Sequence, residues 1–224
     1  MAAEVQNAKN TIIRIIADQL RKASPTSVDP ESIQTLIEDN AKASQTGNPG
    51  GISRATNAYW RNEYSNTAMD ISSNAGYGSL LAFMLQDVAK GASAIDKPDF
   101  GLTTGTLFAD LGSGNGDANR RFVGTDEKTM QLGFTNIKVD TATIVSDPNI
   151  TAGDLYLINT NFMKLKVLKT PGMKTTGEAP QTMPISVRPF MTDPKSLHSI
   201  GVMYVTYALT TSSSQRQGIA TNLT

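Results

Sequence analysis

Apolar residues recur at helical spacing along the first 23 positions. Val5, Ala8, Ile12, Ile16 and Leu20 form one stripe, Ile13 and Ile15 widen it, and Pro25 stops it. A helix from Ala2 to Ala23 would be about 30 Å long at 1.5 Å per residue. Its apolar side is too wide to be left without cover. A short second helix is expected at Asp29-Pro30, taken as N-cap and first residue, with Ile33, Leu36 and Ile37 on its inner face. From Ala43 to Asn57, "ASQTGNPGGISRATN" is turn chemistry and the expected internal boundary. Tyr59, Trp60 and Tyr64 follow it, placed to plug a seam between two lobes. The strongest helical pattern runs from Gly76 to Lys90, with Tyr77, Leu80, Leu81, Met84, Leu85 and Val88 inward and Gly91 as terminator.

"KPDFGLTT" then reads as a short strand and "TGTLFADL" as a short helix stopped by Gly112. Beyond Phe134 the period changes to two. Ile137 and Val139 alternate, "ATIV" precedes an Asp147-Pro148 turn, and "GDLYLINTNFMKLKV" gives two runs around Asn159-Thr160-Asn161. In the second run Met163, Leu165 and Val167 point one way, Lys164 and Lys166 the other. Lys169 to Met183 is a Gly/Pro/Thr-rich loop, and Ile200 to Thr211 reads as one long strand. Helices come first and strands second, which predicts an α+β fold with no internal repeat.

Composition narrows the chemistry. The 224 residues, one or two domains' worth, can bury a core without disulfides, and there is no cysteine. His198 is the only histidine, so a histidine-rich metal site is excluded, and a structural or surface role is expected for it. Twenty basic and twenty acidic residues balance. That argues against a dedicated nucleic-acid binder while leaving room for one locally basic surface. No apolar run reaches the roughly 18 residues needed to span a bilayer. The first ten residues lack the charge and apolar order of a signal peptide, so a soluble, unexported chain is expected.

One stretch imitates an active site. "FADLGSGNGD", Phe108 to Asp117, resembles the glycine loop that wraps S-adenosylmethionine in methyltransferases, and "FVGTDEKTM" resembles the strand end whose acid holds the ribose. Such a loop works where a strand ends and a helix starts, with a crossover back to the next parallel strand. Only "DANRR" lies between Gly116 and Phe122, too few residues for that crossover. The context is missing, and a surface turn explains the glycines. Asp147-Pro148 and Asp193-Pro194 read as turns, and "SSSQRQG" offers hydroxyls without a base at a recognisable spacing. Neither a catalytic residue nor a cofactor is expected.

The order of segments resembles the major capsid protein of tailed bacteriophages, the coat fold shared with encapsulins and the floor of herpesvirus shells. The resemblance rests on "GGISRATNAYWRNEY", "KPDFGLTTGTLFADL", "GFTNIKVDTATIVSDPNITAGDLYLINTNFMKLKV", "PFMTDP" and "YALTTSSSQRQGIATNL", spread over a span of about three-quarters of the chain. It implies a long spine helix at Ala2 to Ala23 and a C-terminal β-ribbon from Ile185 to Asn222, forming a peripheral domain of residues 1–50 and 184–224. Residues 51–183 would form a mixed or antiparallel β axial domain. It further implies a virion subunit, assembled in the bacterial host cytoplasm into hexamers and pentamers around DNA. Its partners would be its own copies, scaffold, portal or decoration proteins, and packaged DNA at the inner surface, with no membrane. Candidate subunit contacts are Arg54, Trp60, Arg61, Arg120, Arg121 and Arg216. Family members carry an N-terminal arm and an extended hairpin ahead of the spine helix, whereas Met1 here opens almost directly on the helix. A truncated chain, or a lattice held by other contacts, is therefore expected. The rival readings are another phage structural or encapsulin-like shell protein and the methyltransferase.

Overall fold

The computed structural model describes residues 2–21, 30–113, 137–167, 186–187, 191–192, 199–200 and 203–224. Helix α1 covers Ala2–Leu20. Among its described side chains only Ile16 is buried, while Ile13 and Ile15 are 47% and 51% exposed. Ala8, Ile12 and Leu20 are half-buried, so it is the flanking Ile13 and Ile15 that find no cover among the described residues. The helix is fastened at its C-terminal end, where Arg21 meets the buried Asp147 at 3.0 Å and Gln34 donates to the Arg21 carbonyl.

Helix α2 is a single turn, Ile33–Leu36. The expected Asp29-Pro30 start is corrected by the chemistry of the following residues. Ser32 accepts from the Thr35 N–H at 3.2 Å, Thr35 accepts from the Ser32 N–H at 2.8 Å, and this reciprocal cap sets the first turn. Strand β1, Glu63–Ser65, was not expected.

Helix α3, Asn74–Ala82, begins two residues before the sequence pattern suggests because Ser73 caps the Gly76 N–H at 3.1 Å. Gly76 is obligatory there, since a Cβ would sit 2.0 Å from the Asp70 carbonyl oxygen. The helix continues as a π-helical segment, Phe83–Val88, closed by the Ala89 N–H on the Met84 carbonyl at 3.0 Å. The wider turn shifts the phase of the pattern. Phe83 joins Leu80, Met84 and Val88 in the core, Leu85 rotates outward to 39% exposure, and the helix stops before Gly91.

Strand β2 (Phe100–Thr103) and helix α4 (Gly105–Ser113) follow in the expected order, but α4 runs through Gly112, which was expected to stop it. β3 (Ile137–Val139) and β4 (Ala142–Ser146) form a hairpin, followed by β5 (Leu155–Ile158) and β6 (Met163–Val167). β7 (Ser186–Val187), β8 (Met191–Thr192), β9 (Ser199–Ile200), β10 (Met203–Tyr204), β11 (Tyr207–Thr211) and β12 (Gly218–Ala220) complete the strands. The single long strand expected over Ile200 to Thr211 is interrupted at Val205 and Thr206, where the partner changes from β7, paired with β10, to β6, paired with β11; β9 pairs with β8.

Six strands make one mixed sheet in the order β1-β12-β5-β2-β4-β3. β1–β12 and β2–β4 are parallel; the other three pairings are antiparallel. All four residues of β5 are buried because both faces of this central strand are covered. Leu155 and Leu157 pack with α3, the π-helical segment and α4; Tyr156 and Ile158 pack with Ile37 below α2 on the opposite face. Each large apolar side chain so enclosed contributes roughly 1.5–3 kcal/mol.

Candidate functional site

The densest polar structure stands at one end of the sheet, where β1 and β12 begin and β5 ends. Arg54 is at its centre and is completely buried. Its Nε donates to the Trp60 carbonyl at 3.2 Å, and one terminal nitrogen contacts Glu38 Oε2 at 3.3 Å. The other donates to Ser214 Oγ at 2.9 Å and to the Leu36 carbonyl. One guanidinium therefore joins α2, the loop before β1 and the turn before β12. Burial pulls Arg54 below its ordinary pKa, opposed by the Glu38 and Glu31 carboxylates; a guanidinium stays charged regardless. Burial alone would raise the Glu38 carboxyl. Hydrogen bonds from Asn40, the Gly47 and Thr46 N–H groups and Arg54 outweigh it and hold that carboxyl below the usual range.

Amide side chains extend the network. Gln45 donates to the Asn40 and Asn62 carbonyls and accepts from the Asn62 N–H, each at 3.0 Å. Gln217 brackets Asn159 in the same way, accepting at 2.8 Å and donating at 3.1 Å, so β12 and β5 are locked in register. Buried polar groups are tolerable only when partnered in this manner. Lys42 and Lys90 both reach Glu63 Oε1, at 2.5 and 2.6 Å, at the start of β1.

Of the expected contact residues, the structure brings Arg54, Trp60 and Arg61 together in one loop, with Arg216 beside it through Ser214. Trp60 is half-buried, its Nε1 donating to the Pro49 carbonyl at 3.1 Å. Arg61 donates to the Arg54 and Ala55 carbonyls at 2.9 and 3.2 Å and so braces the loop from outside. Arg216 pairs with Asp96 and stacks over the Phe162 ring at 4.4 Å. Tyr59, on the same loop, is 62% exposed, and Ile95 beside Asp96 is 58% exposed. Arg120, Arg121, His198 and Asp193-Pro194 lie outside the described residues. Glu38, Gln45, Asn62 and Gln217 escaped notice in the sequence, since an isolated acid or amide in a loop carries no periodic signal of burial.

The cofactor-loop reading fails on geometry. Phe108 to Leu111 lie within α4, with Leu107 and Leu111 turned into the core. A helix stands where a nucleotide site needs a strand end. Gly114 to Asp117 and the "FVGTDEKTM" stretch fall outside the described residues. Ser214, from the hydroxyl-rich segment, is buried as an acceptor for Arg54. An open cleft of about 310 Å³ between β1 and the π-helical segment holds Tyr64, Met69, Phe83 and Gln86, with Asp87 its one carboxylate. Among the described residues no group of three His, Cys, Asp or Glu could hold a metal, and no helix is long and apolar enough to cross a membrane.

With this geometry in hand, comparison with solved structures identifies the fold. The chain is similar to one in the capsid asymmetric unit of cyanophage A-1(L), with a TM-score of 0.58 and 16% identity, covering 99% of this chain and 69% of that one. It also matches a chain of the holo-SrpI encapsulin complex from Synechococcus elongatus PCC 7942, with a TM-score of 0.44 and 15% identity, over 72% of this chain and 52% of that one. No protein-family model and no curated protein matches. The likeness to the cyanophage chain shows a phage capsid fold, mixed in helix and sheet.

Proposed function

We propose that this chain is a structural subunit of a bacteriophage capsid, assembling into hexamers and pentamers of an icosahedral shell that encloses DNA. The observation that carries the reading is the fold match over 99% of the chain to a capsid subunit. The exposed Ile13 and Ile15 on the flanks of the α1 stripe support it, because apolar helix surface calls for a partner. In this reading α1 is the spine helix, residues 1–50 with the ribbon from 184 onward form the peripheral domain, and residues 51–183 form the axial domain, whose sheet also takes in β12 from the C-terminal segment.

The work of such a subunit is mechanical. Rings close by heterologous contacts, and each subunit pair must bury on the order of 1,000 Å² or more to hold. Tyr59, Trp60 and Arg61 on their braced loop, together with Arg216, are offered as contacts, and Arg120 and Arg121 are further candidates from the sequence. Arg54 acts through the loop whose position it sets. Scaffold, portal and decoration proteins are the further partners, the virion is the final location, and the host cytoplasm is the place of assembly. Electron microscopy of the purified chain, with light scattering across a concentration series, tests the reading. Rings or closed shells are expected; a chain that stays monomeric at every concentration overturns it.

A further inference from the structure

Charge is divided unevenly along this neutral chain. Residues 1–154 carry eighteen acidic and thirteen basic side chains, whereas residues 155–224 carry two acidic and seven basic ones. Between Asp154 and Glu178 there are four lysines and no acid, and after Asp193 there is no acid at all. β6 and β11 are drawn from these two stretches and pair antiparallel with each other.

The register sorts their side chains. Met163, Leu165 and Val167 share one face with Thr211, Leu209 and Tyr207, and Leu209 at 7% exposure shows that this face is turned inward. Lys164 and Lys166 stand on the other face, opposite Thr210 and Ala208, and both lysines are exposed. The Thr210 hydroxyl folds back onto the Lys164 carbonyl at 3.1 Å, so nothing tall stands between the ammonium groups. Neither ammonium makes an ion pair among the described residues. Two same-face residues on a strand are about 6.7 Å apart, a spacing that suits one strand of a duplex with a phosphate every 3.4 Å or so along the axis.

We propose that the Lys164–Lys166 face of the β6–β11 ribbon binds the sugar-phosphate backbone of duplex DNA without reading its sequence. The proposal rests on the shell reading and says which surface meets the contents. Lysines presented over Ala and Thr act as point charges on phosphates and bring no bidentate fork to a base edge. Six carboxylates that a second copy could offer, Asp18, Glu38, Glu63, Asp96, Asp140 and Asp147, are already paired within their own chain, which makes them weaker partners for these lysines than a phosphate backbone. Each contact is weak, and repetition across a shell multiplies it.

Fluorescence anisotropy of a labelled 20-base-pair duplex, titrated with the purified chain between 50 and 200 mM salt, is the test. Two phosphate contacts predict that wild-type affinity falls about tenfold over that range. The double variant Lys164→Glu/Lys166→Glu should lose both the binding and the salt dependence, while Lys138→Glu on β3 keeps them. If the double variant fails to fold, as judged by circular dichroism, Lys164→Gln/Lys166→Gln replaces it. Equal DNA affinity in wild type and a folded variant overturns the proposal, as does a folded variant that has lost assembly but kept DNA affinity. If no shells form yet these lysines bind DNA, the shell reading falls and this one stands. Shells that form from a chain whose DNA affinity ignores the lysines give the reverse.

Discussion

Replacing Arg54 by Met would leave the Glu38 carboxylate, the Leu36 carbonyl and the Ser214 hydroxyl without their shared donor. Removing one partner of a buried pair costs about 3–5 kcal/mol, so Arg54→Met should lower the urea midpoint by a corresponding amount, and Arg54→Lys should recover only part of it. Asp154 offers a test of opposite sign. It is 7% exposed, and burial, reinforced by the Asp39 charge, pushes its carboxyl up to about 6. A carboxyl whose pKa is higher folded than unfolded favours the fold when protonated, so that stability is present below about pH 4 and lost as pH rises through 6. Asp154→Asn should therefore raise the melting temperature relative to wild type at pH 7.5. The gain should be at most about 3 kcal/mol and should vanish as the pH falls from 6 to 4. A melting difference that does not vary with pH would remove Asp154 from the account. The burial of neither residue is legible in the sequence, where Arg54 reads as a subunit contact or a solvated charge and Asp154 as part of a turn.

At the scale of elements, legibility follows length and period. α3 has nine α-helical residues and a repeating apolar spacing, and β6 alternates over five, so both can be read from side-chain order alone. β1 and β12 are three residues each; their pairing joins Glu63 to Gly218, and no local pattern reports a contact at that separation. The π-helical segment was hidden for another reason. Leu85 and Phe83 are both apolar, and only the packing of the wider turn decides which goes inside. Two measurements probe these elements. Ser73→Ala should cost α3 its cap and about 1 kcal/mol. Gly218→Ala should destabilise strongly, since its Cβ would stand 2.5 Å from Val88 Cγ2, and Val88→Ala in the same chain should recover part of the loss. Thermal unfolding followed by circular dichroism reads both.

At the scale of the whole molecule, the proposed shell reading assigns cohesion within the chain and association between copies to different surfaces. The sheet is covered on both faces, so changes on α1 should leave the fold alone. Ile13→Glu/Ile15→Glu is expected to shift monomer stability by no more than about 0.5 kcal/mol while abolishing large particles in light scattering. Particles of unchanged size would show that α1 is not a contact. The coat-like order of segments was visible in the chain because secondary elements of ordinary length arrive in the same sequence. The polar bracing that aims the 54–61 loop was not, because it depends on residues as far apart as Arg54 and Ser214.

The position of β12 between β1 and β5 also sets a timetable for the nascent chain. The ribosome makes β1 more than 150 residues before the strand that separates it from β5. At roughly 5–20 residues per second, the inner edge of β1 waits on the order of ten seconds or more for its neighbour. Throughout that interval the Arg54 loop has no Ser214 to close on, so the proposed docking loop has not yet taken its final shape. If that loop is a contact between copies, as proposed, the surface is withheld until the late strand slots home, and connectivity alone would discourage premature gathering of half-made chains on one messenger.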